Sequence, residues 1–277
     1  MISESAVTGV PGATFRVVSW LPDTLEGGIR VGPYSSARPG MLLRVVPGVG
    51  RFLARAGTTI EMALEPGADS ATVEALAQGG VLGALIHQRG ELPLHATTLI
   101  SRDRRHAIAI AGDSGAGKST TAYELIRRGW TMLSDDLTRA TISEGSPLTW
   151  PGRASLRLLV DACHSFGLDP TTLQPAPGWP DKYIIPVQRW DEPVPLSAIV
   201  CLERSEGTLQ PATLSGLAAV ALLTAQTYRI HYVAALGQTE THLRLVAAIL
   251  SRTKLSRLRG AGTVSNIADL IEGVVSA

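Results

Sequence analysis

The sequence predicts an α/β chain with a small β-rich N-terminal lobe over residues 1 to 88 and a larger α/β domain over residues 89 to 277. Residues 1 to 88 hold short β-prone segments punctuated by Gly and Pro, whereas the remainder alternates apolar strands with helical periodicity. Within the larger domain, residues 106 to 136 read as a strand, a glycine-rich loop, a helix and a second strand. Domains commonly run to roughly 100 to 200 residues, so a chain of 277 residues suits one large and one small lobe.

In chain order, FRVVSW, IRVGPY, MLLRVV and TIEMAL read as strands, with turns at Gly and Pro positions 27 to 28, 39 to 40, 47 to 50 and 66 to 67. Asp69 and Ser70 can cap a helix. Val73, Leu76, Val81, Leu82, Leu85 and Ile86 then recur at roughly helical spacing, so one helix over residues 71 to 88 is expected to bridge into the second lobe. Residues 92 to 100 (LPLHATTLI) and 106 to 111 (HAIAIA) are apolar strands joined by the polar turn SRDRR, a hairpin feeding a central sheet. A helix over 119 to 128 and a strand over 130 to 134 follow. Residues 140 to 195 form a Pro- and Gly-rich excursion holding the strand SLRLLV and the segment PDKYIIP, the type of long connection where substrate contacts gather. A strand at 196 to 203, helices from about Ser215 to Tyr228 and Thr239 to Arg252, a strand around Leu255 to Leu258 and a closing helix from about Ser265 complete the layer.

Hydrophobic residues make up 45% of the chain and charged residues 18%, enough apolar material for a core and too little charge for an extended disordered protein. The 25 Lys and Arg against 24 Asp and Glu provide no basic field of the kind that nucleic-acid binding by counterion release favours, so no nucleic-acid partner is expected. The start MISESAVTGVPG lacks the basic residues and apolar run of a secretory signal, and no stretch reaches about 18 uninterrupted apolar residues. The expectation is a cytoplasmic protein with no membrane partner. Cys163 and Cys201 are too few and too far apart for a cysteine-based zinc site or a disulfide framework, and read as buried thiols. Lys118, Lys182 and Lys254 are the three lysines in a chain that otherwise uses arginine.

Gly112, Asp113, Ser114, Gly115, Ala116, Gly117, Lys118 and Ser119 satisfy the spacing G-x-x-x-x-G-K-[ST], with Thr120 following. Glycines let backbone amides turn inward around a β-phosphate, where a helix N-terminus adds its positive end. Lys118 then reaches β- and γ-phosphate oxygens, and Ser119 offers its hydroxyl to magnesium. The string follows an apolar strand and opens a helix, the context such a loop requires, so ATP and Mg2+ are the expected ligands.

Asp135 and Asp136 end the strand WTMLS, where a sheet would deliver both carboxylates to the edge that carries the loop. One is expected to hold magnesium, while the other orients an acceptor hydroxyl and takes its proton late. His95, inside LPLHATTL, reads equally as a satisfied core histidine and as a functional one. Lys182 and Arg189 in PDKYIIPVQRW are candidate clamps for a γ-phosphate or an acidic substrate, against the alternative of a solvated loop. Glu203 reads as a strand-end charge.

At LPLHATTLI, GDSGAGKSTTAYELIRRGW and TMLSDD the sequence resembles the catalytic domain of the HPr kinase/phosphorylase family, in which a histidine-bearing strand, a phosphate loop and an Asp-Asp pair occur in this order. The resemblance spans about residues 85 to 140. It implies an HPr-kinase type of P-loop kinase domain. In that reading Lys118 and Ser119 contact phosphate and magnesium, Asp135 orients the seryl hydroxyl, Asp136 lies on the metal side and His95 neighbours the active site. Thr120 departs from the family's Lys-Ser-Glu ending, and SEGSPLTWPGRASLRL holds no counterpart of the second signature loop with its glutamate metal ligand. The string LGALIHQRGELPLHATTL looks more like the HPr-kinase-like proteins of ribosomal-peptide pathways, including those acting on a seryl group of lasso precursor peptides. The leading expectation is an ATP-dependent serine kinase acting on a peptide or small protein. The alternatives are a nucleotide-gated regulator that hydrolyses slowly, and a small-molecule kinase.

Overall fold

The protein, as a computed structural model, is described over residues 10–153 and 155–276. It is a mixed α/β chain with several sheets, and it divides into two compact units. The first runs to Pro93 and also takes in Thr227–Val246; the second comprises Leu94–Gln226 and the chain from Ala247 onward.

The first unit holds six strands: β1 (Thr14–Val17), β2 (Ile29–Gly32), β3 (Ser35–Arg38), β4 (Met41–Val46), β5 (Gly50–Arg55) and β6 (Thr59–Leu64). They form one sheet in the order β1-β6-β5-β4-β3-β2, in which β1 runs parallel to β6 and the other neighbours are antiparallel. SSAR and GRFLAR, not singled out by sequence, are strands that pair in register with MLLRVV; alternate residues of SSAR are buried, while Phe52, Leu53 and Ala54 of GRFLAR are all buried.

The expected single helix is two: α1 (Ser70–Leu76), capped by the Asp69 carboxylate accepting from the Thr72 amide, and α2 (Leu82–Gln88). A π-helical segment, Ala77–Val81, separates them where Gly79 leaves helical geometry (φ −96°, ψ −113°). Paired glycines 79 and 80 lower the cost of that break. The chain later returns to this unit with α3 (Tyr232–Ala235), a helix the sequence reading missed because it has a single turn.

The second unit is built on β7 (Ala96–Ile100), β8 (Ala107–Gly112), β9 (Thr131–Ser134) and the 15-residue β10 (Val194–Thr208). LPLHATTLI is therefore not one strand. It bends at His95, whose amide donates to the Gln226 carbonyl at 2.9 Å. β7 lies between β8 and β9 and runs antiparallel to both, and β8 runs parallel to β10 in the register Ala107 with Leu196 through Gly112 with Leu202. All of β7 and β8 is buried, as their near-continuous apolar runs require of strands covered on both faces. β11 (Lys254–Ala261) continues the sheet parallel to β10, and β12 (Gln210–Leu214) pairs antiparallel with it.

Much of the excursion expected over 140 to 195 is regular. Thr138–Ser143 and Ser146–Trp150 form a hairpin whose turn uses left-handed Glu144 (φ 51°) and Gly145 (φ 75°), and Leu156–Leu159, Gln174–Ala176 and Trp179–Ile185 make a small separate sheet. The core joins Leu99, Ile108, Ile110, Leu125, Met132 and Val200 to the helices Lys118–Arg127 and Val264–Ser276. Far from the loop end of the first of these helices, Arg128 clamps it to the second, bonding Glu124 at 3.0 Å, Asp269 at 2.6 Å and Glu272 at 2.9 Å.

Candidate functional site

Antiparallel placement of β7 between β8 and β9 decides the site. The C-terminal ends of β8 and β9 and the N-terminal end of β7 fall on one edge of the sheet, with Ala96 opposite Ala111 and Thr98 opposite Ser134. The glycine-rich loop, the Asp pair and His95 are the residues that continue those three strands. Sequence reasoning expected this meeting of loop and carboxylates, and the register supplies it.

Within the loop, Gly112 has φ 140°, and a Cβ there would lie 2.5 Å from the Leu202 carbonyl oxygen. Only glycine allows β8 to turn out beside β10 at that point. Gly115 (φ 82°) and Gly117 (φ 99°) are also left-handed, which turns successive amides toward the loop's concave side. The helix Lys118–Arg127 starts at Gly117 with no side-chain cap, so its first amides remain available to an anion. The Lys118 ammonium folds over the loop, donating to the Gly112 carbonyl at 2.6 Å and the Asp113 carbonyl at 3.1 Å. Burial pushes its pKa below the ordinary lysine value, against the pull of the Asp136, Asp135 and Asp113 charges.

The two aspartates differ sharply. Asp135 is only 6% exposed, and its Oδ1 accepts from Thr97 Oγ1 at 2.7 Å. Burial raises its pKa, the Thr97 hydrogen bond opposes this, and the neighbouring Asp136 charge adds to the rise. Asp136 takes a left-handed backbone (φ 65°), which Asp tolerates better than most residues, and its side chain is 49% exposed. Its Oδ1 lies 3.2 Å from His95 Nε2 and its Oδ2 lies 4.0 Å from Arg157 Nη2. The His95 hydrogen bond is the main cause that lowers its pKa. One carboxylate is thus sealed and basic; the other is open and firmly ionised.

Beneath them, hydroxyls tie the strands together. Thr98 and Thr138 share a 2.7 Å hydrogen bond, Ser134 approaches Thr138 at 3.1 Å, and Thr138 donates to the Ala96 carbonyl at 3.0 Å. Gly152 packs so closely on Ser134 that a Cβ would sit 2.8 Å from the serine Cβ, and the Asp135 amide donates to the Arg153 carbonyl at 2.7 Å. The pair is held from both sides.

Lys182 lies with its ammonium 4.0 Å over the Trp179 ring, and its charge is felt at Lys118. Arg189 is exposed beside Met132, with its Nε donating to Asp191 at 2.6 Å. Glu203 pairs with Arg259 at 3.1 Å and lies inside β10, which runs on to Thr208, rather than at a strand end as the sequence suggested. Sequence reasoning missed Thr97, Arg157 and Arg204. The Arg204 Nη2 lies 3.7 Å from where a Gly117 Cβ would sit, a position set by the parallel pairing of β10 with β8. Only the pairing, not any local pattern, points to it.

The residue set fits a nucleoside triphosphate with magnesium. The loop offers amides and an ammonium, and Ser119 opens the helix. Among the described residues no group of three or more His, Cys, Asp or Glu side chains is arranged to hold a metal.

No family model matches the chain. A stretch of 45 residues is 49% identical to the HPr kinase/phosphorylase of Treponema pallidum, equally in both matching strains, and it covers 16% of this chain and 14% of each relative. The match therefore spans about a seventh of those relatives' length. A solved structure of the Hpr(Ser) kinase/phosphatase from Coxiella burnetii aligns with TM-score 0.33 and 16% identity, covering 66% of this chain and 93% of that one. So low a score adds nothing to the fold described above.

Proposed function

We propose that the protein is an ATP-dependent kinase that transfers the γ-phosphate to a seryl hydroxyl of a peptide or small protein. The observation that carries this reading is the placement of a sealed, raised-pKa carboxylate and an open, ionised one at the same sheet edge as the phosphate loop. The local identity to proteins named HPr kinase/phosphorylase supports it.

Phosphoryl transfer passes through a loose transition state, so positioning and charge stabilisation do most of the work. The loop amides cradle the β-phosphate, and Lys118 leaves the Gly112 and Asp113 carbonyls for the β- and γ-phosphate oxygens. Ser119 and Asp136 are the residues that would hold magnesium, which supplies charge neutralisation between the phosphates when bound. Asp135 orients the acceptor hydroxyl and accepts its proton; its raised pKa makes it the better base of the two. His95 holds Asp136 in place. Lys182 is assigned to the γ-phosphate or to an acidic group of the acceptor. Arg189 shares that role only by giving up Asp191. A lasso precursor peptide is the narrower acceptor class we infer, and the cytoplasm the compartment.

Incubation with labelled ATP, Mg2+ and candidate acceptors, including serine-ending peptides and HPr, is followed by intact mass. One phosphate appears on a serine, and it is lost in Asp135→Asn while nucleotide still binds. Lys118→Ala should slow transfer by on the order of 10²-fold, as loss of one preorganised donor does. Free phosphate without a modified acceptor overturns the kinase reading in favour of a nucleotide-gated regulator.

A further inference from the structure

A second concave site lies wholly within the first unit, apart from the phosphate loop. A cavity of about 580 Å³ opens among Arg30, Tyr34, Arg44, Arg229, His231 and Tyr232, and the rest of its lining is mainly aliphatic. That volume lies in the range of small-molecule pockets, roughly 300 to 1,000 Å³. No described lining residue is acidic, and neither Arg44 nor Arg229 forms an ion pair with a described carboxylate. Three guanidiniums gathered without a counter-charge repel one another, an arrangement that an anion relieves.

The donors also converge. A Cβ on Gly80 would lie 3.4 Å from Tyr232 Oη, 3.5 Å from Arg44 Nη1 and 3.8 Å from Arg229 Nε, so three donors from two segments far apart in sequence surround one point that the glycine leaves open. Arg44 Nε is buried with no hydrogen-bond partner, a cost that a cavity ligand would remove. Arg229 is held in a left-handed backbone (φ 54°) beside the Tyr228 ring, which it faces at 5.5 Å. Arg30 has already spent two donors on the Gly32 and Pro33 carbonyls and supplies charge rather than direction.

We propose that this cavity binds a small organic anion, with a carboxylate or phosphate headgroup on Arg44, Arg229 and Tyr232 and an apolar body against Tyr34 and the aliphatic wall. The site is independent of the kinase reading.

The test uses the full chain carrying Lys118→Ala, so that the phosphate loop does not compete. Phenyl phosphate, phenylacetate and inorganic phosphate are titrated by calorimetry. At least one aromatic anion binds, and Arg229→Gln, at an exposed position, weakens it roughly tenfold or more, the usual cost of losing a hydrogen bond to a charged group. Gly80→Ala, whose methyl meets only ordinary contacts, weakens it as well by filling the point of convergence. Which anion binds names the headgroup. Binding of neither aromatic anion, or affinity unchanged in both variants, overturns the site. Inorganic phosphate bound as tightly as phenyl phosphate overturns the apolar body.

Discussion

At the scale of single residues, the role proposed for Asp135 sets activity against stability. Its carboxylate is buried with one hydroxyl partner and a like charge beside it, so the ionised form is disfavoured by the fold. Because its pKa is raised on folding, the stability linked to this group is fully present below the ordinary carboxylate pKa and is lost as pH rises through the folded value. Asp135→Asn should therefore raise the melting temperature at pH 7 to 8 while abolishing transfer, and the gain should vanish on acidification. Thermal melts across pH check this; a lowered melting temperature at pH 8 refutes it. Thr97 donates to the charged form, so Thr97→Val should move the acid limb of the transfer rate to higher pH. An unmoved limb would remove Asp135 from the role of base. Lys118 was singled out from spacing alone, whereas Thr97 was not, because a threonine in ATTLI carries no local mark of its partner 38 residues on.

At the scale of elements, helix α2 contains a built-in acid sensitivity. His87 lies buried on it, with Nε2 donating to the Tyr228 carbonyl at 2.9 Å, and burial lowers its pKa to about 4. A pKa lowered on folding contributes stability that is fully present above pH 6.5 and is lost as pH falls toward 4. The full shift corresponds to about 3 kcal/mol. His87→Gln, which keeps an N–H for Tyr228, should lose this acid-dependent fall in denaturant midpoint, and an unaltered pH profile would refute the assignment. Elements with strong apolar patterns were legible: HAIAIA, TMLS and the helix after the loop stand within a residue or two of expectation. The split of residues 71 to 88 was not, because Gly79 and Gly80 permit a break without requiring one. The Glu144–Gly145 hairpin was missed because a left-handed Glu is uncommon.

At the scale of the molecule, the first unit is discontinuous. Residues 227 to 246 belong with the N-terminal sheet, and Tyr232 and Leu236, each 1% exposed, are covered there. Residues 94 to 277 expressed alone should expose that apolar segment, bind a hydrophobic dye and be cut by protease within it. A truncation resistant to cleavage there would show that the segment is covered without the sheet. The mixed α/β class was legible because strand and helix periods differ; the return of residues 227 to 246 was not, because membership in a unit is a matter of distant contacts.

The sequence by itself determined the glycine-rich loop, the Asp-Asp pair and the strands that carry them, since each rests on spacing and hydrophobic period within about 30 residues. Tertiary structure alone decided which aspartate is sealed and which is open, that His95 meets Asp136, that Arg204 lies against the loop, and that Arg44 and Arg229 converge beside Gly80. These depend on strand register and on chain segments far apart in sequence. Burial, which raises the Asp135 pKa, and the His95 hydrogen bond, which lowers that of Asp136, exist only once those segments have packed.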